Sequence, residues 1–205
     1  MTGFYYRPIV QSDRCRPEGA LDLAGGPMWF THVERLQRGG DSCVMPVADL
    51  PTDVCKRLSA RRADICGLSM DEPRIMGILN ATPDSFSDGG QFDRFDTALK
   101  RANAMAQEGA DILDIGGEST RPGADFVEPA TEQARTEPVI RAITKQGNLP
   151  PVSIDTRKAD VARAALGSGA RLFNDVTALS FDTGSASVAA QSGAAVCLML
   201  SLIHI

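Results

Sequence analysis

From Ile75 onward, short apolar runs alternate with longer segments of helical periodicity, and this alternation limits the possible folds more than any other feature of the chain. The runs IMGILN, DILDIGG, PVSIDT, RLFNDV and AVCLML are separated by FDTALKRANAMAQEGA, TEQARTEPVIRAITKQG, ADVARAALGSGA and SASVAAQSGA. Within the longer segments apolar residues recur three and four apart, as at Ala98, Ala102 and Met105 or at Val161, Ala164 and Ala165. Gly109, Gly147 and Gly169 each stand where a helix should stop. Strands alternating with helices of this length predict right-handed βαβ units and a parallel sheet covered on both faces.

Two α/β architectures are compatible with that pattern. A doubly wound sheet places its ligand at a topological switch point, usually beside a glycine-rich turn after the first strand. A (β/α)8 barrel of the TIM type instead gathers polar residues at the carboxyl end of every strand. This sequence follows the second pattern: Asn80 closes the first run, Asp114 through Glu118 the second, Asp155 the third, and Asn174 with Asp175 the fourth. A barrel is therefore expected over residues 74–205, cut to about five βα units where a closed one has eight. Residues 1–73 carry Pro17-Glu18-Gly19, Gly25-Gly26-Pro27 and Gly39-Gly40 between short apolar pieces, which predicts a small mixed extension.

Each strand-end residue also has a plainer reading. Asn80 can simply open a turn, and Asn174 or Asp175 can cap a helix. Asp155 is harder to place, because an ionisable group that follows Val, Ser and Ile needs a partner. In GGESTRPG (116–123) the glycines allow close backbone approach, Ser119 and Thr120 offer hydroxyls, and Arg121 offers a planar fork for an anionic substrate. An ion pair between Glu118 and Arg121 would instead only stiffen a turn. The segment lacks the GxxxxGK[ST] spacing of a nucleotide P-loop.

Composition narrows the class further. A formal charge of -5, with both signs scattered along the chain, argues against a nucleic-acid surface built on a basic stripe. No apolar run approaches the roughly twenty residues that cross a bilayer, and MTGFYYRPIV lacks the pattern of a leader, so a cytoplasmic protein without a membrane partner is expected. The five cysteines show no metal-binding spacing and read as reduced structural thiols.

ILNATPDSFSDGG, DILDIGGESTRPGA, VSIDT and FNDV, in that order, resemble the dihydropteroate synthase family, the pterin-binding barrel enzymes of folate biosynthesis. LAGGPMWFTHVE resembles an extension that some bacterial members carry. The resemblance implies a transferase that condenses 6-hydroxymethyl-7,8-dihydropterin diphosphate with 4-aminobenzoate, releasing pyrophosphate with the aid of magnesium. It gives Asp155 the pterin edge and Asn174 a second pterin contact, and it sets Asn80 beside magnesium and the diphosphate. Thr120 becomes a substrate-binding hydroxyl, and Arg121 and Pro122 fall in a mobile loop that orders the aminobenzoate site. Phe86, between Asp84 and Asp88, falls in the other mobile loop. Asn80, Thr120 and Arg121 are thus the residues expected at the chemistry, and homodimers are expected of full-length members.

The departure from the family is at the end. Where the family continues LMH after the fifth strand, Met199 is followed here by Leu200 and then SLIHI, and nothing around His204 matches a family motif. The chain reads as truncated. A further pterin-binding Asp, a Lys, and a late Arg and His would lie beyond residue 205. A pterin-dependent methyltransferase barrel and a non-catalytic pterin-binding fragment are the alternative readings.

Overall fold

A computed structural model describes residues 3–81, 91–121 and 123–199. The chain divides into two compact units, Met1–Asp64 with Ser69–Glu72, and Ile65–Leu68 with Pro73–Ile205.

The first unit contains β1 (Phe4–Pro8), β2 (Leu21–Asp22), β3 (Trp29–Phe30), β4 (His32–Gln37), β5 (Cys43–Pro46) and α1 (Thr52–Ser59). β1, β4 and β5 form an antiparallel sheet in that order, and β2 pairs with β3. Phe30, Val33, Leu50 and Val54 make a small core between these strands and α1. The Trp29 indole N–H donates to the Asp13 carbonyl at 2.8 Å, which satisfies the ring's polar end while its body is buried.

The second unit runs β6 (Met76–Asn80), α2 (Gln91–Gln107), β7 (Ile112–Gly116), α3 (Pro129–Gln146), β8 (Val152–Asp155), α4 (Ala159–Gly167), β9 (Leu172–Asp175), α5 (Ser185–Ser192) and β10 (Ala195–Leu198). The five strands pair in parallel in the order β10-β9-β8-β7-β6. Because that order never reverses, there is no switch point, and right-handed crossovers put all the helices on one face. This is barrel topology, with helices covering one face of the sheet where cover on both was expected.

The helix-covered face follows from strand alternation. Leu79, Leu113, Ile115, Val152, Ile154 and Phe173 pack against Ala98 and Ala102 of α2, Val139, Ile140 and Ile143 of α3, and Val161, Ala162 and Ala165 of α4. Each large side chain so buried contributes roughly 1.5–3 kcal/mol. In α4 the buried stripe includes Ala162, while Ala164 is only half-buried, because this helix packs against both α3 and α5. α3 begins with Pro129 in its first turn and ends at Gly147, whose φ of 70° is the left-handed stop the sequence predicts. Among the described residues no helix is long and apolar enough to cross a membrane.

Partners in register project from the same face of a sheet, so pairing alone defines what lines the other side. Asn80, Gly116, Asp155, Asn174 and Cys197 form one row across all five strands. One layer toward the amino ends lie Ile78, Asp114, Ser153, Leu172 and Ala195. Ile78, on this side, is 61% exposed.

Candidate functional site

Three of the residues singled out in the sequence, Asn80, Asp155 and Asn174, therefore meet at the carboxyl ends of β6, β8 and β9. Gly116 separates the first two. A Cβ there would lie 3.4 Å from Asn80 Oδ1 and 3.7 Å from Asp155 Oδ2, so a side chain at this position would fill the floor between them.

Asp155 is the electrostatic centre of the row. Its Oδ1 is buried and has no hydrogen-bond partner among the described residues. Burial first, and then the nearby charges of Asp114, Glu132 and Asp175, push its carboxyl up from 3.8 to about 7. Asp114 is buried below it and is also raised, chiefly by burial, with the hydrogen bond from Asn174 opposing. Asn174 Nδ2 donates to Asp114 Oδ2 at 3.0 Å, which commits one of the amide's two N–H donors to the protein and leaves its carbonyl oxygen free to accept. Asp155 Oδ1 and Asn174 Oδ1 together present acceptors, a surface matched to a ligand edge rich in N–H groups.

The raised carboxyl has a stability consequence. Between about pH 4 and pH 7 folded Asp155 holds a proton that the unfolded chain has released, so this residue's contribution to stability falls as pH rises through that window. Asp155→Asn removes the effect. Unfolding free energies from urea titrations across the window should fall further in the parent chain than in the variant, by on the order of 2 kcal/mol after solvent screening of a partly exposed group. Parallel curves would show that Asp155 does not titrate there.

Asp175, next to Asn174 in sequence, has a different role because neighbouring strand residues face opposite sides. Its carboxylate accepts from the Thr177 N–H at 2.7 Å, the Thr177 hydroxyl at 2.7 Å and the Leu179 N–H at 3.1 Å. These bonds hold a turn in which Ala178 and Leu179 are both left-handed, at φ of 52° and 64°. Of the pair, Asn174 belongs to the row and Asp175 ties down a turn rather than capping a helix, since α5 begins only at Ser185 behind Gly184.

After β7 the chain enters the segment GGESTRPG. Gly117 is required by close approach: a Cβ would lie 2.8 Å from Glu132 Cγ and from Thr136 Cγ2. Glu118 does not pair with Arg121. Its carboxylate instead meets Arg157 Nε at 3.0 Å, Lys158 Nζ at 3.1 Å and the Val127 N–H at 2.9 Å. Burial alone would raise this group, but those partners outweigh it and hold the carboxyl below its ordinary value. Ser119, Thr120 and Arg121 are exposed. Phe86 and Pro122 lie outside the described residues.

Asp114 was read only as the start of the polar end of the second run, and Glu132, Arg157 and Lys158 were not among the candidates read from sequence. Asp114 was within reach, since it stands two residues before Gly116 on a strand and so shares its face. Arg157 and Lys158 directly follow VSIDT, which should have marked them as occupants of the same rim. No group of three His, Cys, Asp or Glu converges among the described residues to hold a metal ion. Among the described residues, Asn80 Oδ1 is an oxygen donor at this rim. A single amide oxygen fits a hard cation that keeps its waters and takes its remaining ligands from phosphates.

A family model described as pterin binding enzyme matches residues 76–202. A dihydropteroate synthase of Synechocystis sp. is 50% identical over 125 residues, covering 61% of this chain and 43% of that protein. The structure of a dihydropteroate synthase from Clostridium difficile in the presence of pteroic acid aligns with a TM-score of 0.58 and 52% identity, over 60% of this chain and 47% of the other. That of Xanthomonas albilineans dihydropteroate synthase with 4-aminobenzoic acid aligns with a TM-score of 0.60 and 47% identity, over 64% and 48%. The chain spans less than half the length of each of these proteins.

Proposed function

Because the chain belongs to the pterin binding enzyme family, we propose that it carries the pterin half of a dihydropteroate synthase site. The reaction would join 6-hydroxymethyl-7,8-dihydropterin diphosphate to 4-aminobenzoate in the cytoplasm, giving 7,8-dihydropteroate and pyrophosphate. The observation that carries this reading is Asp155 Oδ1, a buried carboxylate oxygen without a partner among the described residues, in register with Asn174 and Asn80. A pterin edge offers a ring N–H and an amino group to such an oxygen pair. The relatives solved with pteroic acid and with 4-aminobenzoic acid support the substrate class.

In this reading Asp155 and the Asn174 carbonyl hold the ring, and Asn80 stands at the diphosphate end. Magnesium, if bound there through Asn80 Oδ1, would supply positive charge to the departing pyrophosphate. Thr120, Arg121, Pro122 and Phe86 would receive the aminobenzoate. The C–O bond from the methylene carbon to the diphosphate breaks, a C–N bond to the amine forms and the amine's surplus proton passes to the released pyrophosphate or to water, so no protein nucleophile is needed. Charge stabilisation at the leaving group would provide most of the acceleration.

The test uses the chain joined to a family C-terminal half. Asp155→Asn exchanges one acceptor oxygen for a donor and should weaken pterin binding by roughly 1.5–3 kcal/mol, the scale of a hydrogen bond to a charged group. Titration calorimetry that found pterin affinity unchanged would remove Asp155, and with it this reading, from the site.

A further inference from the structure

The connection from Gly117 to Glu128 joins β7 to α3, and its first two residues behave differently from its middle. Ser119 through Arg121 and Gly123 through Phe126 are exposed, whereas Gly117 and Glu118 are buried. Glu118 and Val127, nine residues apart, meet where the Val127 N–H donates to Glu118 Oε1 at 2.9 Å. Lys158 Nζ donates to the Val127 carbonyl at 2.6 Å and contacts Glu132 Oε2 at 2.6 Å and Glu118 Oε1 at 3.1 Å. Arg157 adds Nε and Nη2 to Glu118 at 3.0 and 3.3 Å and lies 4.1 Å over the Phe181 ring. The Phe126 ring covers Lys158 at 4.6 Å.

The neck of the connection is thus closed by two carboxylates and two cations whose charges cancel. An apolar cluster of the same volume would hold the fold at least as well. Directed ion pairs add a fixed geometry, here for the ends of a segment whose tip carries Ser119, Thr120 and Arg121. Fixing both ends of a short loop removes much of the freedom its tip would otherwise have to lose on meeting a ligand. The cations come from the stretch that begins at Asp155, so one strand end supplies both the row's carboxylate and the brace for the neighbouring loop.

We propose that Glu118 and Lys158 are positioning residues for the second substrate: they set the neck of the 117–128 connection so that Thr120 and Arg121 meet an aromatic carboxylate bound beyond the pterin. Neither touches substrate. The proposal rests on the function proposed above, and its test separates the two.

In the chain joined to a family C-terminal half, as in the test above, Glu118→Gln keeps the side chain's shape and removes its charge. Hydrogen exchange read by mass spectrometry should quicken across Ser119–Arg121 and Gly123–Phe126 while β7 stays protected. The affinity ratio of pteroic acid, which carries the aminobenzoate group, to 6-hydroxymethylpterin, which lacks it, should fall about tenfold, the scale of one charge-assisted hydrogen bond. Affinity for 6-hydroxymethylpterin itself should not change. Unchanged exchange in the connection overturns the brace, whatever the ligands do. Quickened exchange with an unchanged ratio, or an equal loss for both ligands, overturns the positioning role. Failure of the parent chain to bind either ligand overturns the proposed function and the positioning role with it, leaving a structural brace only. Arg157→Gln, at the less buried end of the cluster, serves for the same readouts where Glu118→Gln does not fold.

Discussion

Lys158→Met is expected to destabilise the chain by about 3–5 kcal/mol, the cost of breaking a buried ion pair by removing one partner. The Lys158 side chain is only 3% exposed, and it stands between Glu132, at 0%, and Glu118. Methionine fills similar space but leaves the Glu132 carboxylate without its cation, and Glu132 Oε1 already has no partner among the described residues. Urea denaturation measures the loss. The double variant Lys158→Met with Glu132→Gln should recover a large part of it, because the stranded charge is then gone. A loss below about 1 kcal/mol would mean that the cluster is solvated and behaves as a surface pair.

Phe173→Ala should cost a similar amount, about 3–5 kcal/mol, for a different reason. Phe173 is fully buried on the helix-covered face of β9, within the cluster that includes Ile154, Ile115 and Leu79. Removing the ring loses its transfer from water and leaves a cavity that helices anchored on neighbouring strands cannot close. Ile78→Ala makes a useful contrast, since that side chain is 61% exposed on the opposite face and its removal should change stability by less than about 0.5 kcal/mol. Comparable losses in the two variants would show that the second face is covered in solution.

The barrel strands were legible because each carries its own evidence, an apolar run that ends in a polar residue, and the helices because their stripes repeat within a few turns. The row of Asn80, Asp155 and Asn174 was legible for the same reason: the carboxyl end of a strand can be found without knowing its neighbours. The ion cluster was not. Glu118 is 39 residues from Arg157, and reading along the chain offered Arg121 as the nearer partner. In consecutive βα units, residues that close adjacent strands are neighbours in space, so the partner was one unit away. The first unit was legible only as a mixed extension, because strands as short as Leu21–Asp22 and Trp29–Phe30 are too brief to show a period. Its sheet depends on pairings such as Tyr6 with Arg35, which no local pattern announces.

The row across the sheet has one further implication, for how such a chain tolerates change. Asn80, Gly116, Asp155 and Asn174 come together through backbone register alone, with no loop setting their alignment. The site is therefore a matter of counting inside four short strands. Losing one residue from Val152–Asp155 would turn Asp155 toward the helices and an apolar neighbour toward the row's face, because side chains alternate with a period of two. Losing one from the connection after α3 would only shorten a surface link. Length variation should be confined to the connections, and the strands should keep their residue count even where their apolar residues are exchanged for one another.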